Sequence, residues 1–261
     1  MKQSQGVGEL PEALSGVTII LPVVTETASL DETVRVLHAT CDASIDEVLV
    51  VVCDRTTPAS LARCEAIRGV FGDRVRLHHQ TLPFLGGAMR EAFALARGSH
   101  SLMISSDLET DPSIAHLMIE RGREHPGAVI TASRWIAGGG FDGYGRVRVW
   151  LNWVFQRVTS IMYRRGLTDA TFGYRLFPTS LVRDLRWTGL KHELLLETIL
   201  KPVRLGVDVI EVPMHWTPRR DGESQNSVAT QARYIRTLLV TRFLRRASLL
   251  ATPSDVKETP G

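Results

Sequence analysis

An apolar segment of the chain ends in closely spaced acidic residues. In "LMISSDLETDPS", residues 102–113, Asp107, Glu109 and Asp111 follow the segment at intervals of two, and Pro112 stops a strand from continuing. Hard divalent cations such as Mg2+ prefer carboxylate oxygens and often bridge to a substrate's phosphates. Asp107 and Glu109 therefore predict a metal site, with helix capping as the alternative, whereas Asp111 is predicted to cap the next helix.

Strands and helices alternate along the N-terminal half of the chain. Apolar or β-branched runs predict strands near residues 16–24, 45–54, 74–80 and 100–107, and the segments between them carry apolar residues at helical spacing. The main strands are apolar throughout, which is typical of strands buried on both faces. The pattern predicts an α/β fold with a mostly parallel central sheet covered by helices on both faces.

Ligands of such sheets bind beyond the carboxyl ends of the strands. The first strand leads into Thr25 and Glu26, the second ends at Cys53 and Asp54, and the fourth ends at Asp107, so these side chains are expected to converge. Neither a glycine-rich dinucleotide motif nor a P-loop motif is present, which disfavours those two enzyme classes. A nucleoside diphosphate held by Mg2+ or Mn2+ fits the converging acids.

Composition narrows the class of protein. The chain has 261 residues, 44% of them hydrophobic, which is enough for a packed core, and a formal charge of +3 is too small to indicate nucleic-acid binding. Cys41, Cys53 and Cys64 form no metal-binding spacing and favour a reduced, cytoplasmic setting. No apolar signal core and no apolar run of membrane-spanning length occurs, so neither secretion by that route nor membrane integration is predicted.

Seven motifs, in order, resemble those of family 2 glycosyltransferases of the dolichol-phosphate mannose synthase type. The resemblance runs from about Val17 to Asn226 and implies a nucleotide-sugar-binding GT-A fold. The motifs are "ILPVVTE" (20–26), "VVVCDRT" (50–56), "FLGGAMREAFALARG" (84–98), "SSDLETDP" (105–112), "ASRW" (132–135), "DATFGYRLF" (169–177) and "IEVPMHWTPRRDGESQ" (210–225).

The resemblance implies roles for individual residues. Glu26 and Asp54 match positions near the base and ribose, and Asp107 and Glu109 match metal positions that take Mg2+ or Mn2+. The residues implied to bind the nucleotide sugar are Pro22, Val24, Glu26, Asp54, Gly86 and Asp107.

Three arginines match basic positions around the phosphates: Arg134, Arg175 and Arg219. A guanidinium group suits bidentate phosphate binding, and a structural ion pair is the alternative for Arg175. Glu211, in "IEVPM", is predicted to be structural.

The chain also departs from the family pattern. Ser105 replaces the first acid of the metal motif, Cys53 replaces an aspartate that contacts the base, and Thr25 and Gln225 replace an asparagine and a lysine. Phe84 stands where a glycine is usual. The loss of one carboxylate is expected to weaken metal binding, and Cys53 leaves the base preference open.

The implied reaction displaces a nucleoside diphosphate from the anomeric carbon of the sugar with inversion. A polyprenyl phosphate acceptor, which the resemblance favours, is already anionic, whereas a hydroxyl acceptor needs a base. Asp169, Glu193 and Glu197 are the candidate bases, and the last two form an i, i+4 pair on one helix face. The alternatives are a soluble, hydroxyl-bearing small-molecule acceptor or a catalytically silent relative that binds a nucleotide or a partner.

The C-terminal region combines apolar and basic residues. Residues 228–250 place Ile235, Leu238, Leu239 and Phe243 at helical spacing among several arginines and no acids, which predicts a helix lying peripherally on an anionic membrane. Packing of this helix against the domain is the alternative. The basic, aromatic segment 143–165 is either the wall of an acceptor channel or ordinary core. The expected domain boundaries are a tail at 1–15, the GT-A domain at 16–226, the basic helix at 227–250 and a disordered tail at 251–261.

Overall fold

A computed structural model describes residues 8–143, 145–218 and 228–252. The strands are β1 (Val17–Pro22), β2 (Ile45–Val52), β3 (Val75–His79), β4 (His100–Met103), β5 (Val129–Ser133), β6 (Gly140–Phe141), β7 (Arg175–Pro178), β8 (Val209–Pro213) and β9 (His215–Trp216). The α-helices are α1 (Ala28–Cys41), α2 (Pro58–Ala66), α3 (Arg68–Phe71), α4 (Phe84–Leu95), α5 (Ile114–Glu124), α6 (Arg146–Tyr163), α7 (Thr179–Asp184), α8 (Glu193–Leu205) and α9 (Val228–Phe243).

Seven strands form one sheet in the order β3-β2-β1-β4-β7-β5-β8. β1 pairs in parallel with β2 and β4, β2 with β3, and β5 with β8. β7 runs antiparallel to both β4 and β5, so β5 points the same way as β4. The sheet is therefore mostly parallel, as the apolar strand pattern predicts.

The strands alternate their side chains between two apolar clusters. On β1, Ile19 and Leu21 face one cluster with Leu30 and Leu37 of α1, whereas Ile20 faces the other. The second cluster contains residues of α4, α7 and α8. Helices thus cover both faces of the sheet, which confirms the predicted layering.

The N-terminal segment before β1 also contributes to packing. Leu14 lies against the first cluster and Leu10 against the second. The Ser15 N–H donates to Ser99 Oγ at 3.0 Å. Packing therefore extends before residue 16, where the sequence predicts the domain to begin.

Helix α9 packs on the domain along one side. Leu238 is buried in the second cluster, and the Tyr163 hydroxyl at the end of α6 donates to its carbonyl at 2.9 Å. Arg242 Nε donates to the Met162 carbonyl at 2.9 Å. The helix is thus part of the folded domain, with its remaining side facing solvent. Across the described ranges, no helix is both long enough and apolar enough to cross a bilayer.

His100 makes the stability of the fold sensitive to acid. Its side chain is buried in β4, and Nε2–H donates to the Pro126 carbonyl at 2.8 Å. Burial lowers the pKa of His100, and the hydrogen bond to Pro126 only partly opposes this. The unfolded chain therefore takes up a proton near pH 6.5, whereas the folded chain takes it up at lower pH. The free energy of unfolding falls as the pH drops through this range.

We expect this loss to reach at most about 1.4 kcal/mol per pH unit, the value for one proton. Urea unfolding between about pH 8 and about pH 5.5 measures it, above the range in which carboxylates titrate. His100→Gln cannot take up this proton, so its unfolding free energy should change less over the same interval. An equal acid loss in the variant and the wild type would contradict the assignment to His100.

Candidate functional site

The parallel strands bring the predicted site residues to one edge of the sheet. β1, β2, β4 and β5 share one direction, so their carboxyl ends meet at this edge. The side chains that follow these ends are Glu26 after β1, Asp54 after β2, Asp107 after β4 and Arg134 after β5. The predicted convergence of the strand ends is confirmed.

The loop after β1 is held by its own glutamate. Glu26 Oε2 accepts hydrogen bonds from the backbone N–H groups of Val24 at 2.7 Å and Thr25 at 2.9 Å. Pro22 and Val24 are half-buried beside it. Glu26 therefore shapes the loop, and the contact of Pro22, Val24 and Glu26 with a nucleotide stays a prediction.

The loop after β2 presents one exposed carboxylate. The Asp54 side chain is 97% exposed, and its Oδ1 lies 3.3 Å from His79 Nε2. Cys53 takes part in a turn: its N–H donates to Thr56 Oγ1 at 2.9 Å, and that hydroxyl donates to the Val23 carbonyl at 2.8 Å. The turn ties the ends of β1 and β2 together and leaves Asp54 facing solvent at the edge.

The acidic loop after β4 contains a strained backbone. Leu108, between Asp107 and Glu109, has φ of 57°, which a leucine rarely adopts. Asp107 Oδ1 accepts from Ser105 Oγ at 2.8 Å and from the Glu109 N–H at 3.1 Å. Ser105, which replaces the usual acid, thus orients the acid that remains. Strain of this kind persists where surrounding contacts determine the conformation, often at functional sites.

Two aromatic residues support this loop. The Trp216 indole N–H donates to Glu109 Oε2 at 3.2 Å. The Tyr174 hydroxyl donates to the Ser105 carbonyl at 3.3 Å. Burial raises the pKa of Tyr174, and the charges of Asp107 and Asp111 add to the effect, so Tyr174 stays a neutral donor. The motif comparison identifies neither residue as part of the site, because both act through partners that are distant in sequence.

The acidic loop suits a cation that completes its shell from a ligand. Asp107 and Glu109 supply two carboxylates, and in the described part of the chain no group of three or more His, Cys, Asp or Glu is placed to hold a metal. Mg2+ is commonly bound by one or two carboxylates together with substrate phosphates and water. The donor set therefore fits Mg2+ or Mn2+ shared with a diphosphate. Asp111 Oδ1 instead accepts the Ser113 N–H at 2.9 Å in the turn before α5. The N-cap of α5 is Ser113 and has no side-chain cap hydrogen bond, so the predicted capping of this helix by Asp111 is wrong.

Arg134 and Asp169 form a buried ion pair beside the edge. Arg134 Nε donates to Asp169 Oδ2 at 2.6 Å and its NH2 donates to Oδ1 at 2.8 Å. The guanidinium carbon lies 4.9 Å from the ring centroid of Phe141 and 5.0 Å from that of Phe172. Gln156 of α6 also donates to Asp169 Oδ1, at 3.4 Å. The pair fixes the plane of the Arg134 guanidinium.

Asp169 is therefore a positioning residue, and its prediction as a base is wrong. It is 1% exposed, and both of its oxygens accept hydrogen bonds from Arg134. Glu211 supports the turn that carries it, accepting the N–H groups of Thr168 at 2.8 Å and Asp169 at 3.1 Å. The prediction that Glu211 is structural is confirmed.

The phosphate contact predicted for Arg175 is also wrong. Its side chain is fully buried under the sheet, where Nε donates to Thr131 Oγ1 at 3.0 Å and NH2 donates to the Ala170 carbonyl at 2.8 Å. NH1 of Arg175 donates to the Leu195 carbonyl and to the Thr198 hydroxyl of α8. Burial lowers the pKa of Arg175 to about 10, with Asp169 the main opposing charge, so it remains protonated at neutral pH. Arg175 holds α8 to the sheet.

Glu197 and Glu193 do not act as a pair. Glu197 is buried, its Oε2 lies 2.7 Å from Lys201 Nζ, and its Oε1 accepts the Thr188 hydroxyl at 2.6 Å. Glu193 Oε1 accepts the Lys191 N–H at 3.2 Å. The prediction that Glu197 is catalytic is wrong, because its carboxylate is enclosed in an ion pair. Arg219, the third predicted phosphate ligand, and Gln225 lie outside the described residues.

Gly86 has a packing role at the start of α4, and its contact with a nucleotide stays a prediction. Its N–H donates to the Leu190 carbonyl at 2.8 Å, so this donor is already used. A Cβ atom at Gly86 would lie 2.5 Å from the Leu190 carbonyl carbon and 2.7 Å from the Gly189 oxygen. The absence of a side chain lets the start of α4 contact the loop before α8.

We expect Gly86→Ala to lower the free energy of unfolding by about 1–3 kcal/mol, because the clash is with backbone that has to move. Gly166→Ala is the matched control, since its added Cβ has no atom within 4 Å. Its effect should stay below about 1 kcal/mol. Chemical denaturation of both variants checks this, and equal stabilities would contradict the packing role.

Comparison with known proteins places the chain in a family. The sequence model described as "Glycosyl transferase family 2" matches residues 18–186. Glycosyltransferase AglD of Haloferax volcanii is 28% identical over 214 residues, which cover 78% of this chain and 34% of AglD. The undecaprenyl-phosphate mannosyltransferase of Micrococcus luteus is 28% identical over 218 residues, covering 81% and 87% of the two chains. The chain thus spans about a third of the length of AglD.

Solved structures agree at the level of the fold. Glucosyl-3-phosphoglycerate synthase from Mycobacterium tuberculosis, in complex with Mn2+, UDP and phosphoglyceric acid, superposes with a TM-score of 0.67 at 16% identity. The match covers 88% of this chain and 80% of that one. It confirms the predicted GT-A fold. With the family model matching most of its length, the chain belongs to glycosyl transferase family 2, a family of sugar-transferring enzymes.

Proposed function

We propose that the chain transfers a sugar from a nucleoside-diphosphate sugar to a polyprenyl phosphate, with inversion at the anomeric carbon. The observation that carries the proposal is the double role of α6. Gln156 of this helix bonds to Asp169 of the Arg134 ion pair, while Trp150 and Ile161 of the same helix are 60% and 75% exposed. One helix therefore joins an apolar surface suited to a lipid to the acidic edge, by which we mean the carboxyl ends of the parallel strands with Asp107 and Glu109.

The relatives support both substrates. The mannosyltransferase of Micrococcus luteus is named for undecaprenyl phosphate, and the synthase of Mycobacterium tuberculosis is described with UDP and with Mn2+ or Mg2+. Because the acidic edge of this chain fits a divalent cation and a diphosphate, we propose that this chain also binds a nucleotide sugar through a metal ion.

On the donor side, Asp107 and Glu109 would hold the Mg2+ or Mn2+ ion. A bound cation there neutralises charge that develops on the diphosphate leaving group. Arg134, with its plane fixed by Asp169, is proposed to contribute positive charge at the same edge. Glu26 and Asp54 are proposed to contact the base and ribose, and Arg219 remains a proposed phosphate ligand.

The ion pairs around the predicted bases favour an acceptor that needs no general base. Asp169 and Glu197 are enclosed in ion pairs with Arg134 and Lys201, and Glu193 lies 3.4 Å from Arg233. A hydroxyl acceptor has to lose a proton to a base within hydrogen-bond reach. A lipid phosphate is anionic at neutral pH and attacks without that step.

Helices α6 and α9 are proposed to rest on an anionic membrane at the cytoplasmic face. They contact each other through Phe155 and Tyr234, whose ring centroids are 6.3 Å apart. Val147 on α6 is 72% exposed and Phe243 on α9 is 77% exposed. Segments 145–165 and 228–250 contain many arginines and no acidic residue, so their charge complements anionic lipid. We define Val147, Trp150, Leu151, Ile161, Ile235, Leu239 and Phe243 as the apolar surface.

A transfer assay tests the proposed function. Labelled GDP- and UDP-sugars are offered with MnCl2 to undecaprenyl phosphate in vesicles or to soluble acceptors, including 3-phosphoglycerate. We expect label in the lipid fraction from at least one donor, and loss of transfer with EDTA. Transfer to soluble acceptors alone would replace the lipid with a small molecule. Nucleotide binding without transfer to any acceptor would support a catalytically silent relative.

Removing apolar side chains from this surface should weaken vesicle binding. Trp150→Ser with Phe243→Ser is expected to reduce binding to vesicles containing phosphatidylglycerol by about tenfold or more, because each buried large side chain contributes roughly 1.5–3 kcal/mol. Leu61→Ser is the control, since Leu61 is an exposed apolar residue on α2. Co-sedimentation measures the effect. Equal binding by the double variant and the control would contradict the membrane role of the surface.

A further inference from the structure

Phe84 combines three properties that are rarely found together. It has φ of 64°, in the left-handed region that a bulky side chain avoids. It is 49% exposed, and neither of the two apolar clusters includes it. Core packing therefore does not explain why a phenyl ring stands at a position whose backbone favours glycine.

The loop that presents Phe84 is held in place by a buried carboxylate. Glu91 accepts the N–H groups of Thr81 at 2.9 Å and Leu82 at 2.6 Å. Burial would raise the pKa of Glu91, but these hydrogen bonds and one from His78 hold the pKa below its usual value, so it is ionised at neutral pH. The Gln80 amide donates to the Phe84 carbonyl at 3.1 Å. The strained conformation is thus built into the loop.

This loop lies beside the part of the edge where the base is proposed to bind. The Gln80 N–H donates to the Val52 carbonyl at 2.8 Å, immediately before Cys53. His79, the last residue of β3, contacts Asp54. The strand ends thus place the loop next to Cys53 and Asp54.

Phe84 is also close to a positive charge. Lys191 Nζ lies 4.3 Å from the centroid of the ring and covers one of its faces, while the residue as a whole remains half exposed. Aromatic rings exposed at nucleotide sites bind bases by stacking, which tolerates different bases because every base has a π-face. Cys53, by contrast, offers only a weak hydrogen-bonding group where an aspartate is usual.

We propose that Phe84 is a base-binding residue of the donor site, whose ring stacks on the nucleobase and replaces hydrogen bonding lost at Cys53. This inference rests on the proposed function, because it requires a nucleoside diphosphate at the edge. It predicts that UDP, GDP, CDP, ADP and TDP bind with similar affinities.

Calorimetric titration of the protein with each nucleoside diphosphate, in the presence of MgCl2, tests the inference. Phe84→Gly should weaken binding of all five diphosphates by at least about fivefold, the lower end of what base stacking contributes. Binding of inorganic pyrophosphate, which has no base, should be unchanged. Phe84→Tyr keeps the ring and should restore nucleotide affinity. Arg164→Gly is the matched control, since Arg164 is exposed and has φ of 53°.

The outcomes separate the stacking role from loss of fold and from failure of the proposed function. Phe84→Gly removes the same backbone strain as Arg164→Gly, so both should keep the wild-type unfolding temperature or raise it. Unchanged diphosphate affinity in Phe84→Gly, or an equal loss of pyrophosphate affinity, would overturn the stacking role alone. A wild-type protein that binds no nucleoside diphosphate would overturn both proposals.

Discussion

Replacing Asp107 by alanine is expected to reduce sugar transfer by roughly 100-fold or more at every Mg2+ or Mn2+ concentration. Asp107 follows the carboxyl end of β4, and its Oδ1 is oriented by Ser105 and by the Glu109 N–H. The chain already has a serine where its family usually has another acid. Loss of Asp107 would leave Glu109 as the one carboxylate predicted to bind the metal, so charge on the leaving diphosphate would be poorly neutralised.

The matched control for this change is Asp111→Ala. Asp111 lies in the same acidic loop, but its Oδ1 accepts the Ser113 N–H ahead of α5. Its removal should cost about 0.5–1.5 kcal/mol of stability, the net contribution of one hydrogen bond, and leave turnover within about twofold. Steady-state transfer over a range of metal concentrations distinguishes the two variants. Wild-type turnover in Asp107→Ala would disprove the metal assignment.

Breaking the ion pair between Arg134 and Asp169 is expected to lower both stability and activity. Arg134 is 8% exposed and Asp169 is 1% exposed, so Asp169→Leu leaves a buried guanidinium without its carboxylate. Removing one partner of a buried pair typically costs about 3–5 kcal/mol. Transfer should fall by roughly 100-fold as well, because Arg134 loses the contacts that fix its plane.

The double variant Arg134→Met with Asp169→Leu separates the two effects. Replacing both charges by apolar residues removes the unpaired charge, so most of the lost stability should return. Transfer should stay as low as in the single variant, because the proposed phosphate ligand is absent. Urea unfolding and transfer assays on the same preparations measure both quantities. Restored activity in the double variant would show that Arg134 takes no part in the reaction.

The sheet and the meeting of the site residues at the carboxyl ends of its strands were predictable because both depend on short-range sequence patterns. Continuous apolar strands separated by helices determine a mostly parallel sheet, and parallel strands bring Glu26, Asp54, Asp107 and Arg134 to one edge. The prediction for Arg175 failed for a different reason. A motif match gives the residue type but not the face of the sheet toward which its side chain turns.

Some of the missing information was present in the sequence. Lys201 stands four residues after Glu197 and pairs with it, so the i, i+4 ion pair was readable and competed with the pairing of Glu193 and Glu197. Phe84 stands at a position where glycine is usual, and glycine at such a position indicates a left-handed backbone conformation. Trp216 acts on the site through Glu109, a partner distant in sequence, and only the fold brings this contact together.

The central claim is that the acidic edge binds a nucleoside diphosphate through a metal held by Asp107 and Glu109. Calorimetric titration of the wild type and Asp107→Ala with UDP and GDP, each with MnCl2 or EDTA, tests it most directly. We expect the wild type to bind at least one nucleotide with Mn2+ and at least about tenfold more weakly with EDTA, and Asp107→Ala to lose this metal dependence. Nucleotide affinity that is indifferent to Mn2+, or equal in the two proteins, would contradict the account.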